Sequence, residues 1–166
     1  MVNPRPGDLM FSFSPGNVIS EAIAFKTNAK ISHVQCIVDI GVNGTLQTMS
    51  AELDGLNPQW VMPETLSWYS ILTYDGITDT QRDLICRWMW DHKGIPYDVL
   101  GLASFVVNID LNNEHKVFCS EACYLGYDEG AGIPLLDGID HAFVSPRDLY
   151  IIPRMKTLDG LEKEVR

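Results

Sequence analysis

The stretch that most constrains the 166-residue chain is residues 33–52, which reads as two strands and the turn between them. His33 to Ile40 alternates: Val34, Cys36, Val38 and Ile40 fall on one face, and His33, Gln35, Ile37 and Asp39 on the other. That is the period of a half-buried strand. Asn43-Gly44 is a strong hairpin-turn signal, and Thr45 to Glu52 reads as the returning strand. A four-residue loop over Gly41–Gly44 sets Ile40 opposite Thr45 and, counted back along the ladder, His33 opposite Glu52. A two-residue loop sets Asp54 opposite His33 and leaves Glu52 on the diagonal, still within reach of a long side chain. Only an odd loop separates the pair, because a slip of one residue exchanges the two faces of a strand.

The elements around this hairpin follow from local signals. Asp8 to Phe13 has the content of a short strand, ended by the Pro15-Gly16 turn. Asn17 is placed to cap a helix running to about Lys26, with Val18, Ile19, Ala22, Ile23 and Phe25 clustered on one face. Strands are expected around Trp60–Met62 and Trp68–Tyr74, broken by Pro58, Pro63 and Gly76. Thr78 and Gln81 have capping-box spacing for a helix from Asp79, with Leu84, Ile85, Trp88 and Met89 as its buried stripe and Gly94 as its stop. A second helix is expected over Tyr97–Val107 and a third starting at or near Cys119. Gly126 to Ala142 reads as a Gly-rich, mobile loop. Ser145–Leu149 reads as a capped turn with Pro146 at its first position, followed by a strand-like Tyr150-Ile151-Ile152. These elements add up to an α+β fold, an antiparallel sheet packed with helices. Residues 1–155 form a single domain, and 156–166 form a charged tail that is frayed or partly helical.

Composition narrows the function. At 46% hydrophobic residues the chain fills one core without needing disulfides or a structural metal. A formal charge of −10 excludes a nucleic-acid partner, which would require clustered Lys and Arg. Pro4, Pro6, Gly7 and Asp8 interrupt any signal peptide. The longest apolar-rich segment, Val99–Ile109, is far short of the roughly 20 residues a membrane span needs. A soluble, cytoplasmic protein without an integral membrane segment is therefore expected, with Cys36, Cys86, Cys119 and Cys123 reduced.

Cys119 is the residue with the most chemistry to offer. A thiol at a helix start beside an imidazole is held as thiolate below its free pKa of about 8.5, although free cysteines are also commonly just buried. His33, at the beginning of a core strand, is able to face a cleft and titrate near neutrality. A zinc site from His33, Cys36, Cys119 and Cys123 fits poorly, because residues three apart on a strand point to opposite faces. No metal or cofactor is expected.

Arg5-Pro6-Gly7-Asp8-Leu9, Ser32-His33-Val34 on a strand and Phe118-Cys119-Ser120-Glu121 opening a helix together resemble the circularly permuted NlpC-like papain-fold proteins, the YiiX-like group. In that group the histidine strand precedes the nucleophile helix, and the order here is His33, Glu52, Cys119. The resemblance covers most of the domain and implies a papain-like fold. It makes Cys119 the nucleophile, His33 the general base and Glu52 the residue that orients the imidazole, with Gln35 or Asp54 as alternatives for that last role. Tyr97-Asp98 after Gly94-x-Pro96, and Ser145-Pro146-Arg147-Asp148, look like structural family positions. The implied activity is that of a cysteine hydrolase, a peptidase or amidase, or of an acyltransferase. Its partners would be a peptide, a cell-wall peptide or an acyl-lipid, and Trp60, Trp68 and Tyr69 are candidates to line an acyl site. A noncatalytic peptide- or lipid-binding module on the same fold is the competing reading.

Overall fold

The computed structural model describes residues 3–98, 117–136 and 138–163. Among them six strands, β1 (Leu9–Phe13), β2 (His33–Ile40), β3 (Leu46–Glu52), β4 (Gly55–Val61), β5 (Trp68–Tyr74) and β6 (Met155–Lys163), form one sheet. The order is β4-β3-β2-β1-β5-β6, and every neighbouring pair is antiparallel. Four helices accompany the sheet: α1 (Val18–Thr27), α2 (Asp79–Asp91), α3 (Cys119–Leu125) and α4 (Pro146–Tyr150). This is the expected α+β class. No helix among the described residues is long and apolar enough to cross a membrane.

Strand alternation sorts the core into two layers. Leu9, Phe11, Val34, Cys36, Met49 and Leu72 cluster with Ile85, Trp88 and Met89 of α2 and with Ala122 and Cys123 of α3. The intervening Met10, Ile37, Leu46 and Ile71 join Tyr69 and Leu158 in a smaller cluster on the other face. β2 is therefore buried on both faces as far as Val38, rather than half-buried, because apolar residues cover both sides of the sheet centre. Fully burying each such side chain is worth about 1.5–3 kcal/mol.

The hairpin has a register that neither expected loop describes. Ile40 pairs with Leu46 and Asp39 with Gln47, so the odd, five-residue segment 41–45 closes the turn. It is tightened by Thr45 N–H donating to the Val42 carbonyl and by Asn43 at φ 56°. An odd loop alone would bring Leu53 opposite His33. A bulge at Val38 absorbs the extra residue, however, so that Ile37 pairs with Thr48 and Cys36 with Met49. Carried to the start of β2, this register places His33 across from Glu52. One bulge thus restores what the odd loop would have undone.

The Arg5–Leu9 motif is a structural bolt. Gly7 sits at φ +85°, and a Cβ there would meet Arg82 backbone and side-chain atoms at 3.2 Å. That close approach lets Arg82 Nη1 reach the Asp8 carboxylate at 2.7 Å and the Pro6 carbonyl at 2.9 Å. Gly7 N–H donates to Ile37, and the Tyr127 hydroxyl donates to the Gly7 carbonyl. The chain start is thereby tied to β2, α2 and the segment after α3.

Several expectations are corrected. In α1 Val18 and Phe25 are 81% and 91% exposed. The helix turns Ser20 and Ile23, three residues apart and on one face, toward the protein instead. β4 begins at Gly55, earlier than expected, and carries Pro58 on the outer edge of the sheet, where no ladder hydrogen bond is lost. Gly126–Ala142 is not simply a loop: α3 continues as a wide π turn over Gly126–Gly130. Cβ atoms at Gly126 and Gly130 would meet Met89 and Trp88 at 2.9 Å, so these glycines serve close packing on α2 rather than motion. Tyr150 closes α4, so Tyr150–Ile152 is not a strand. The chain pairs instead from Met155, making β6 out of much of the expected tail. Of the helix expected over Tyr97–Val107, residues 99–107 lie outside the described residues, while Tyr97 bridges extended to Val117.

Candidate active site

The fold delivers His33, Glu52 and Cys119 to one cleft of about 410 Å³, whose lining also includes Ser14, Asn17, Ser20, Ile23, Ser32, Ala51, Leu53, Asp54 and Tyr97. Each side chain arrives by a separate device. His33 opens β2 beside β1, paired with Ser12, and the preceding Ser32 is pinned through its hydroxyl to that of Ser20 on α1. Glu52 closes β3, where the tight turn into β4 pairs it with Gly55. A Cβ at Gly55 would meet the Ile95 carbonyl oxygen at 2.7 Å. Glycine therefore lets Leu56 N–H bond Ile95 and Gly94 N–H bond Leu56, which brings the chain leading to Tyr97 against the cleft. The Tyr97–Val117 bridge, with Asp98 N–H donating to Val117 and Val117 N–H to Pro96, leads straight into Phe118 and Cys119.

Cys119 is the first residue of α3, after an extended Phe118 at φ −110°, ψ 173°. The start of the helix is fastened on both sides. Ser120 Oγ donates to the Val144 carbonyl at 2.7 Å, and Phe118 N–H donates to the Glu121 carboxylate at 3.4 Å. The other Glu121 oxygen takes Nδ1 of His141 at 2.7 Å. Sequence reading did not find this second histidine–carboxylate pair.

Electrostatics singles out Cys119 among the cysteines. Burial raises its thiol pKa, but the charge of His33, the hydrogen bond to His33 and the backbone N–H groups of Val34 and Ser120 outweigh burial, so the pKa falls below its ordinary value. Burial likewise works against His33 as a cation, yet the Cys119 charge and hydrogen bond, with help from Glu52, raise it to about 10. Glu52 is held below the usual carboxylate range by its hydrogen bond to His33. The other cysteines move the opposite way: burial pushes Cys86 up to about 11 and Cys36 and Cys123 well above the ordinary thiol value. Burial also raises the Tyr97 hydroxyl, and the nearby Cys119 and Glu52 charges add to that effect. All four thiols are free.

The contacts of His33 sort the three candidates for its polar partner. Nε2 lies 3.5 Å from Glu52 Oε1. It lies closer still, at 2.9 Å, to the hydroxyl of Ser50, a residue the sequence reading missed although it sits two positions before Glu52 on the same strand face. With Nε2 so engaged, Nδ1 is left for Cys119. Gln35 stands one step behind: its amide oxygen accepts from Thr48 at 2.5 Å and from Gln59 at 3.4 Å, and Gln59 in turn donates to Glu52 at 2.8 Å. Asp54 lines the cleft without a hydrogen bond to His33. Trp60, Trp68 and Tyr69 do not line it. Trp60 is 56% exposed on β4, Trp68 packs against Tyr150, and Tyr69 belongs to the second core cluster.

Among the described residues no group of three or more His, Cys, Asp and Glu side chains is placed to share a metal ion. Cys36 and Cys123 are buried in the core, and His33 Nε2 is already engaged by Ser50 and Glu52.

The chain superposes on the crystal structure of metalloprotein yiiX from Escherichia coli O157:H7, DUF1105, with a TM-score of 0.71 at 16% identity, covering 98% of this chain and 99% of that one. The likeness establishes a YiiX-like fold. No family model matches the sequence, and no curated protein does. The donor set described above does not fit a metal ion.

Proposed function

We propose that the protein is a cysteine-dependent hydrolase or acyltransferase acting through a Cys119 thioester. The observation that carries this reading is the convergence of Cys119, first residue of α3, with His33 and Glu52 on one cleft of about 410 Å³, where the charges of thiol and imidazole favour each other, thiol down and imidazole up. Such a pair stores the nucleophile as thiolate and the proton as imidazolium before any substrate arrives. The thiolate attacks a carbonyl carbon, and the carbonyl electron pair moves onto oxygen. Backbone N–H groups at the start of α3, Cys119's own among them, are the donors available to that oxyanion. Collapse expels the amine or alcohol, which takes the His33 proton, and leaves a thioester. Neutral His33 then draws a proton from water, or from an acceptor amine or alcohol, as that nucleophile attacks and releases Cys119.

Among the described residues the cleft lining carries Glu52 and Asp54 and neither Lys nor Arg, so a substrate bearing a carboxylate or phosphate next to the scissile carbonyl is disfavoured. A peptide amide, including that of a cell-wall peptide, or a neutral acyl-lipid is compatible with it. The test is iodoacetamide labelling of the four cysteines from pH 5 to 10, read by peptide mass spectrometry in wild type and His33→Ala. Cys119 should label fastest below pH 7 and slow about 100-fold at pH 6 without His33. Equal, slow labelling of all four thiols would replace the enzyme by a noncatalytic binding module.

A further inference from the structure

We propose that Ser50 is a positioning residue for His33 and divides the work with Glu52, the hydroxyl fixing the orientation of the ring and the carboxylate supplying charge. This rests on the reading of Cys119 and His33 as a catalytic pair.

The geometry separates the two roles. Ser50 is 2% exposed, and its Oγ lies 2.9 Å from Nε2, within the range of an ordinary hydrogen bond. Glu52 Oε1 is 3.5 Å from the same nitrogen, its side chain is 48% exposed, and it also accepts from Gln59 at 2.8 Å. A half-exposed carboxylate with three χ torsions to order and a second donor is a loose guide for a ring, whereas a buried serine has one torsion to order. The charge of Glu52 still acts at 3.5 Å, because Coulomb attraction falls slowly with distance and needs no alignment. Both residues come from β3, two positions apart, so the bulge that sets Glu52 across from His33 delivers Ser50 to the same face.

The pairing also fixes the proton. An ionised carboxylate only accepts, so Nε2 keeps its hydrogen, the Ser50 oxygen accepts it as well, and Nδ1 is presented to Cys119. Without Ser50 the ring would keep its charge partners and lose its fixed plane. Thiolate stabilisation would survive only in the fraction of time that Nδ1 faces sulfur.

The experiment combines two readouts on Ser50→Ala, Ser50→Thr and Glu52→Gln: the Cys119 labelling rate at pH 6, and the NMR signal and titration of the His33 ring. In wild type the Nε2 proton should be visible near neutral pH, protected by the buried hydroxyl. Ser50→Ala should lose that signal to exchange with water and label about tenfold more slowly, the usual scale for one hydrogen bond to a charged group. Ser50→Thr should restore both readouts. Glu52→Gln should keep the proton signal and lower the midpoint. If the alanine variant does not fold, Ser50→Cys, close in shape and a weak acceptor, should lose the signal in its place. A Ser50→Ala protein with the wild-type proton signal and labelling rate would overturn the proposal and leave positioning to Glu52 alone. A folded Ser50→Thr that fails to restore the signal would also overturn it. A wild type whose Cys119 labels slowly and ignores His33→Ala would overturn the cysteine-enzyme reading itself.

Discussion

Two histidine–carboxylate pairs stand near Cys119, and they are built in opposite senses. In the pair from the sheet the histidine is the enclosed member, and Glu52 is half-exposed at 3.5 Å. In the pair from the helix the carboxylate is enclosed: Glu121 is 2% exposed, its contact is 2.7 Å, and His141 is the half-exposed member. The tighter pair is not the one aimed at the thiol. Glu121 bridges the Phe118 amide and the turn at His141, holding the start of α3, whereas the looser pair charges the ring that faces sulfur. Contact length therefore separates anchoring from activation less well than the identity of the group that shares the cleft.

The largest effect that would sharpen this contrast is on stability. His141→Ala leaves the buried Glu121 carboxylate without its partner, which costs about 1–3 kcal/mol. At roughly 2–4 °C per kcal/mol for a domain of this size, the melting temperature should fall by several degrees. His33→Ala should cost less, because the ring it removes lines an open cleft and the thiol it leaves behind can stay protonated. Thermal melts of the two variants at pH 7 check this, and a larger loss for His33→Ala would break the division into anchor and activator.

The second effect runs the other way. Glu52→Ala should slow Cys119 labelling at pH 6 by about tenfold, since it removes a charge that sustains the imidazolium, while Glu121→Gln should change the rate by less than about twofold because that carboxylate acts on position rather than on charge. Labelling both variants side by side decides the matter. A greater loss of labelling in Glu121→Gln would make Glu121 part of the activating field.

The two pairs also differ in how far they could be read from the sequence, and the reason is physical. His33 and Glu52 lie on one hairpin, where period-2 alternation and a turn signal restrict the geometry to a few registers. The expected even loop was replaced by an odd loop and a bulge at Val38, and the two departures compensate. Ser50 carried the same strand-face signal as Glu52, but a serine in an alternating strand does not stand out. Glu121 and His141 are joined across a Gly-rich stretch with no period to count, so their contact depends on tertiary packing alone. The same holds for Tyr97, brought to the cleft by the close approach of Ile95 to Gly55. β6 was hidden for a different reason: it is an edge strand among the described residues, and its charged sequence lacks the apolar alternation that marks a core strand, so it reads as a tail.

The smallest effect separates the pairs by pH. Burial raises Glu121 above the usual carboxylate range despite His141 and the Phe118 amide, so between its unfolded pKa near 4.5 and its folded value the native state holds more protons than the unfolded chain. Stability from this group therefore increases as pH falls through that window. Glu52 is shifted down, so its contribution is present above its unfolded pKa and is lost as pH falls through the lower folded value. Denaturant melts of wild type, Glu121→Gln and Glu52→Gln from pH 4 to 7 should show opposite trends. Relative to Glu121→Gln, the wild type should gain stability on acidification. Relative to Glu52→Gln, it should lose stability. Parallel curves for the two variants would mean that the carboxylates share one electrostatic environment, and the contrast between an anchoring and an activating pair would have to be abandoned.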